Sequence, residues 1–249
     1  MHFLKSFLLV GLLVTTTAVL LPAQNVTDSK GLKQGEWKKL DAKGNVIYEG
    51  RFKNNIPQGL FKYFYEDGKI RTELSYSEDG KSAKAVNFYP GGKKMAEGSY
   101  FETKKDGTWK YYNDLEILSM EEYYQKGTPV GIWKTYYDDG KLLEDCPYQN
   151  GLKQGVRKQY FSDGSIKSEV NYEKGKLEGT ARYYYPNGKP MLMGQLHDDL
   201  KEGLWTAYKD SGDKESEITY IAGEPTNEIY FDKAREKELN NEVKEIPEK

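Results

Sequence analysis

The chain of 249 residues has one cysteine, two histidines and nine prolines, and its charges nearly cancel at a net −2. One cysteine excludes an internal disulfide framework. Balanced charge leaves no basic footprint, so no nucleic-acid partner is expected. A mean hydropathy of −0.84 excludes a polytopic membrane protein. Neither a zinc ligand set nor a phosphate-cradling glycine loop can be assembled from what is present. The expectation is therefore no metal, no cofactor and no catalytic residue, in a chain that is not an enzyme.

Only one long uncharged run exists, Phe7 to Leu21, preceded by Lys5 and followed by Pro22-Ala23-Gln24. A positive start, an apolar stretch and a small residue at a polar boundary read as a signal peptide over residues 1–23, cut after Ala23. Thr15-Thr16-Thr17 and Pro22 argue against an uncleaved anchor, and no cysteine near the cut could carry a lipid. The expected location is outside the cell, in a periplasm or in the cell envelope. Asn25-Val26-Thr27 matches a glycosylation sequon, a weak three-residue pattern.

What is abundant is tyrosine, glycine and periodicity. There are 21 Tyr and 25 Gly, and 14% of residues are aromatic. Gly35, Gly59, Gly107, Gly131, Gly155, Gly179 and Gly203 fall on a 24-residue lattice whose one gap is Ala83. A second lattice, nine residues later, holds Gly44, Gly68, Gly92, Gly140, Gly164, Gly188 and Gly212, with Glu116 the exception. With the first glycine as position zero, position two carries Trp37, Phe61, Trp109, Trp133 and Trp205. Position five is Leu40, Phe64, Phe88 and then Tyr112 to Tyr208. Position 17 is aromatic in seven repeats, from Phe52 to Tyr220, with Leu196 in the eighth. A period of this kind decides the fold before any motif does.

Each unit is too short for two helices. Asp67-Gly68, Asp139-Gly140, Asp163-Gly164 and Asn187-Gly188 read as two-residue hairpin turns with positive φ at both residues, followed by a looser turn between repeats. Such a turn pairs positions that sum to 17, which sets position three against position 14. Lys110, Lys134 and Lys158 then oppose Glu121, Asp145 and Glu169 as a structural ladder, each pair stabilising by roughly 0.2–1 kcal/mol. Alternation along the strands separates two faces. The Trp phase, position 17 and the position-11 aliphatics (Val46, Ile70, Leu118, Leu142, Ile166) are assigned to a packing face. The ladder and the position-five rings are assigned to a solvated face.

The string Gly131-x-Trp133-Lys134-x-Tyr136-Tyr137-x-Asp139-Gly140-Lys141 resembles the MORN-repeat variant, as found in proteins labelled YwqK-type antitoxins. So does the later Glu169-x-x-Tyr172. The resemblance runs from about Leu32 to Gly223. Ala83, Ala85, Glu116 and Arg157 depart from it, and there the pattern does not by itself support regular hairpins. The resemblance implies an all-β, elongated single-layer antiparallel sheet of about eight 24-residue hairpins. It also implies scaffolding, protein contacts and, in some members, lipid contacts. Residues 24–34 would form the N-terminal edge and 35–226 the repeats. Residues 227–249 would form a last strand and a charged C-terminal helix or tail.

His197 and Cys146 lie two repeats apart, roughly 20 Å, and form no dyad. His197 reads as a turn residue and Cys146 as a small buried hydrophobe. Acids repeated at position 14 read as ladder partners rather than a glycosidase pair. Asp138-Asp139-Gly140 offers too few oxygens for calcium. A single layer cannot cover both its faces, so the exposed rings point to a protein partner or a second copy of the chain. Trp37, Phe61, Trp109, Trp133 and Trp205 are the candidate partner-binding residues, with Trp109 and Trp133 foremost; the equal alternative is that these rings only pack against one another along the rod. A cell-wall glycan or a lipid surface is the alternative ligand, weakened for anionic lipid by the lack of a basic cluster.

Overall fold

The computed structural model describes residues 24–231, which form one open antiparallel sheet with no helix. The expected signal peptide and the C-terminal helix or tail over 232–249 lie outside the described residues. Strands pair in chain order, from Lys33–Leu40 and Val46–Lys53 through to Lys214–Ile221 and Glu224–Tyr230. At about 4.8 Å per strand the sheet is roughly 80 Å long. Ala85, Glu116 and Arg157 do not break the succession. Ser82–Phe88 pairs with Lys94–Phe101, Lys104–Tyr112 with Leu118–Gln125, and Gly155–Tyr160 with Ile166–Glu173.

The turn types are the reverse of the expectation. Between repeats lie the tight two-residue turns, with both residues left-handed: Asn54-Asn55 (φ 54° and 67°), Glu102-Thr103 (46° and 70°) and Asp198-Asp199 (49° and 69°). Lys126-Gly127, Asn150-Gly151, Lys174-Gly175 and Ala222-Gly223 follow the same rule. At the Asp-Gly sites only the glycine is left-handed. Tyr65 N–H donates to the Lys69 carbonyl (2.8 Å) and Gly68 N–H to the Tyr65 carbonyl (3.0 Å). That is a three-residue loop closed by a left-handed residue. The aspartate is held by its own side chain, since Asp139 Oδ1 accepts the Lys141 N–H at 3.1 Å. Glu116, at φ 62°, takes the glycine's place.

Positions still sum to 17 in the body of each hairpin, as in Lys38↔Glu49 and Lys110↔Glu121. The three-residue loop alone would give 16, as in Leu40↔Val46, and a one-residue bulge next to it restores 17. The bulge also corrects the face assigned to position 11. Val46 pairs with Leu40, and Lys94, at position 11, reaches Glu97 of the ladder at 2.9 Å. The position-11 residues therefore share the charged face with the position-five rings.

The ladder is longer than one hairpin. Glu49 is opposed by Lys38 on one side and Lys62 on the other. The row crosses every strand from Lys38 to Glu217, interrupted by Val86, Met193 and Thr206. Position-five tyrosines join it: Tyr112, Tyr136 and Tyr160 donate to Glu97, Glu121 and Asp145 at 2.5, 2.7 and 2.8 Å. Both long margins are tied as well. Tyr65, Tyr89, Tyr137 and Tyr185 donate to the carbonyls of Phe88, Tyr112, Tyr160 and Tyr208 one repeat on, at 2.6–2.8 Å. At the other margin the tight turns hydrogen-bond to one another, as in Gly175 N–H to the Lys153 carbonyl (2.9 Å).

The ends differ in detail from the expected bounds. Within residues 24–34, Val26–Thr27 pairs with Lys33 and Gln34 as a short edge strand, and the stretch from Asp28 between them is a turn held by the Asp28 carboxylate. The last strand runs from Glu224 to Tyr230 and so begins before residue 227.

On the aromatic face, side chains are matched by size between successive repeats. A Cβ on Gly50, Gly98 or Gly194 would lie 2.4, 2.3 or 2.2 Å from the ring of Phe61, Trp109 or Trp205 respectively. Where the earlier residue is bulky, the later one is small: Leu74 opposes Ala85 and Val170 opposes Ala181. Gly98→Ala should cost about 1–3 kcal/mol by overpacking, whereas the same change made on Trp109→Ala should cost almost nothing further. Denaturant melts of the four variants would expose equal costs in both backgrounds if the two side chains do not meet.

Candidate binding groove on the aromatic face

Position-two rings pack against position-17 rings, and two of them, Phe61 and Trp133, stand between a pair. Phe61 stands edge-on to Phe52 at 5.1 Å and to Tyr76 at 5.2 Å. Trp133 stands between Tyr124 at 5.4 Å and Tyr148 at 4.4 Å. The indole N–H groups of Trp109, Trp133 and Trp205 donate to the carbonyls of Ser99, Tyr123 and Gln195. Lys105 and Lys201 lie over Trp109 and Trp205 at 5.1 and 4.7 Å.

This packing corrects the candidate partner-binding set. Phe61, Trp109 and Trp205 are 2%, 1% and 3% exposed, so they are core. Only Trp37 and Trp133 are half-buried and reachable. Trp109 and Trp133 do not form a joint binding surface, because Trp109 sinks onto Gly98.

The third repeat breaks the row. Elsewhere on the lattice a left-handed glycine, such as Gly59 at φ 62°, lets the strand bulge between Glu49↔Lys62 and Arg51↔Gln58. Ala83 does not adopt that conformation, and its strand pairs without a bulge from Thr72↔Asn87 to Tyr76↔Ala83. The two residues released lengthen the turn, which runs from Ser77 to Ser82. Position two is Ala85, so no ring enters between Tyr76 and Tyr100. A groove of about 400 Å³ opens there, lined among others by Tyr63, Arg71, Leu74, Tyr76, Ala83 and Tyr100. Thr72 and Asn87 supply a hydrogen-bonded pair at 2.9 Å in its wall, and Lys81 and Glu102 an ion pair at 3.9 Å on its rim. Arg71 is exposed and has no ion pair or hydrogen bond among the described residues. Burial, then the neighbouring Tyr76, pushes the Tyr63 phenol up to about 12, and burial raises Tyr76 and Tyr100.

Next to the groove lies a polar knot. Glu122 stands where other repeats have Gly, Leu, Cys, Val or Ile, and accepts from Tyr111 (2.5 Å), Tyr124 (2.9 Å) and Lys105 (3.0 Å). Burial and the carboxylate raise both phenols, which makes them poor proton donors. On the other face, Lys110–Glu121 and Lys158–Glu169 approach to 3.5 Å, and Lys134 is in register with both Asp145 and Glu121. The Tyr112 hydroxyl and then Lys94 hold the Glu97 carboxyl below the usual range. Gly44, Gly68, Gly92, Gly140, Gly164, Gly188 and Gly212 are all left-handed loop residues. His197 sits at an exposed turn, 3.1 Å from Glu178, and Cys146 is buried, which raises its thiol. Among the described residues no three His, Cys, Asp or Glu side chains converge to hold a metal.

The groove residues Tyr63, Arg71 and Asn87 are missing from the candidates above. A signal for them was present in the two alanines at Ala83 and Ala85, where both the glycine and the ring fail together. The burial of the other rings had its own signal. Gly50, Gly98 and Gly194 lie off both glycine lattices, and each precedes a Phe or Trp by 11 residues.

The family described as the MORN repeat variant matches residues 33–54, 57–78, 129–150, 153–174 and 177–196. The groove straddles the second of these segments and the unmatched stretch that follows it. No curated protein matches the chain. Among solved structures, TarM aligns over 38% of this chain and 20% of its own, at 16% identity and a TM-score of 0.28. A mutant TarM from S. aureus, in complex with Fondaparinux, alpha-GlcNAc-glycerol and UDP, aligns over 39% and 19%, at 16% identity and a TM-score of 0.30. TcdB2-TccC3 aligns over 77% and 13%, at 11% identity and a TM-score of 0.20. The chain thus spans a fifth or less of each of these structures.

Tyr63, Tyr112 and Tyr160 are each raised from 10.0 to about 12, first by burial. A phenol that holds its proton more tightly folded than unfolded stabilises fully below its unfolded value. That contribution is lost as pH rises through about 12. Phenolate absorbance and circular dichroism followed together should therefore show late tyrosine ionisation coinciding with unfolding. Ionisation of every tyrosine near pH 10, with the sheet intact, would contradict the buried environments.

Proposed function

We propose that this chain, which carries repeats of the MORN variant, is a noncatalytic scaffold that is exported and binds a partner protein through its aromatic face. The observation that carries the reading is the groove of about 400 Å³ at the third repeat, where no ring of the chain enters between Tyr76 and Tyr100. Sealed rings offer a partner little, since their area is already removed from water. An open aromatic slot rimmed by polar groups is the form that specific sites take. The noncatalytic part of the reading draws support from the acids: those of the ladder and the knot are met by lysines or tyrosines, at positions that recur through the repeats. Export rests on residues 1–23, with Lys5 ahead of the apolar run.

A photo-crosslinking residue introduced at Lys81 on the groove rim, or at Lys84 on the opposite face, tests this in an envelope extract. The expected outcome is one adduct of defined mass from position 81 and none from position 84. Identical adducts from both positions, or none from either, would remove the reading.

A further inference from the structure

We propose that the groove at the third repeat receives an aromatic side chain from an acidic segment of the partner, a step that rests on the protein-binding reading above. The chain itself supplies the template. Where two position-17 rings flank a position-two ring, that ring is Phe or Trp: Phe61 stands edge-on between Phe52 and Tyr76 at 5.1 and 5.2 Å, and Trp133 lies between Tyr124 and Tyr148 at 5.4 and 4.4 Å. Ala83 pairs with Tyr76 on one side and with Tyr100 on the other. The two walls therefore stand two strand spacings apart, roughly 10 Å, the separation a wedged ring spans. Ala83 presents only a methyl group between them, while Ala85, 1% exposed, lies covered below, paired with Leu74, which takes the place of the glycine found beneath Phe61 and Trp109. The place of one ring is open to a foreign one.

Charge selects the segment that brings it. Arg71 is an exposed guanidinium on the groove wall with no ion pair or hydrogen bond among the described residues, and Lys81 is a second cation on its rim. The one acid in the lining, Glu102, already faces Lys81 at 3.9 Å. An aromatic residue flanked by Asp or Glu meets both the slot and the exposed guanidinium.

The test uses the full chain with ¹³C-labelled alanine methyl groups, titrated with capped tripeptides and followed by NMR. Asp-Trp-Asp should shift the methyl signals of Ala83 and Ala85, leaving those of Ala181 and Ala207 unmoved. Asn-Trp-Asn should bind more weakly, and Asp-Ala-Asp not at all. Arg71→Met should weaken Asp-Trp-Asp by about five-fold and leave Asn-Trp-Asn unchanged. Leu74→Gly with Ala85→Phe, which recreates the Gly50 and Phe61 arrangement, should abolish binding. If that double variant does not fold, Arg71→Met carries the test. Equal binding of Asp-Ala-Asp, indifference to Arg71→Met, or glucuronate moving the same methyl signals in place of Asp-Trp-Asp would overturn the proposal. Site-specific crosslinking at position 81 with no tripeptide binding would sink this inference and leave the protein-binding reading standing.

Discussion

A sheet one layer thick has no opposing layer to bury its rings against. In this chain each repeat's core is supplied by the repeat before it. Trp109 lies on Gly98 and Trp205 on Gly194, so closely that even a methyl group on either glycine would enter the indole. Burial of a large aromatic side chain contributes on the order of 1.5–3 kcal/mol, and here that gain exists only if two successive hairpins are docked. A hairpin alone is marginal in water. The fold is thus cooperative between neighbours by construction, with nearest-neighbour terms that sum along the array.

The other interactions hold the register in which those rings meet. The charge row is exposed enough that each pair is worth little, yet a slip by one residue would set acids against the ring phase. Tyrosine hydroxyls along one margin and turn-to-turn hydrogen bonds along the other tie repeat to repeat at both ends of the strands. Glycine at position zero permits the bulge that brings the next ring over the previous glycine. Where Ala83 stands instead, bulge and ring are both lost, and the space remains as the groove. The candidate site is therefore the consequence of two local exceptions to one packing rule.

Much of this was legible in the sequence. The period, the all-β class and the opposition of Lys110 to Glu121 follow from spacing alone. The misread elements share one cause, the bulges. Asp-Gly serves a two-residue turn and a three-residue loop equally well, and only the bulge at position 12 keeps both consistent with a sum of 17. That same residue flips Val46 and Ile70 to the other face, which strict alternation cannot foresee. Spacing alone does not decide between rings that pack along the rod and rings left for a partner. Their cover lies 11 residues upstream, across a connection whose geometry the spacing does not reveal.

Small-angle scattering of the monomeric chain tests the single-layer account most directly. The account predicts a rod-like distance distribution with a tail to roughly 80 Å and a radius of gyration of about 25 Å, the value expected of a rod that long. A symmetric distribution with a radius of gyration of about 18 Å, that of a compact globule of this length, would contradict it. The sheet would then be folded upon itself, with its rings buried between layers.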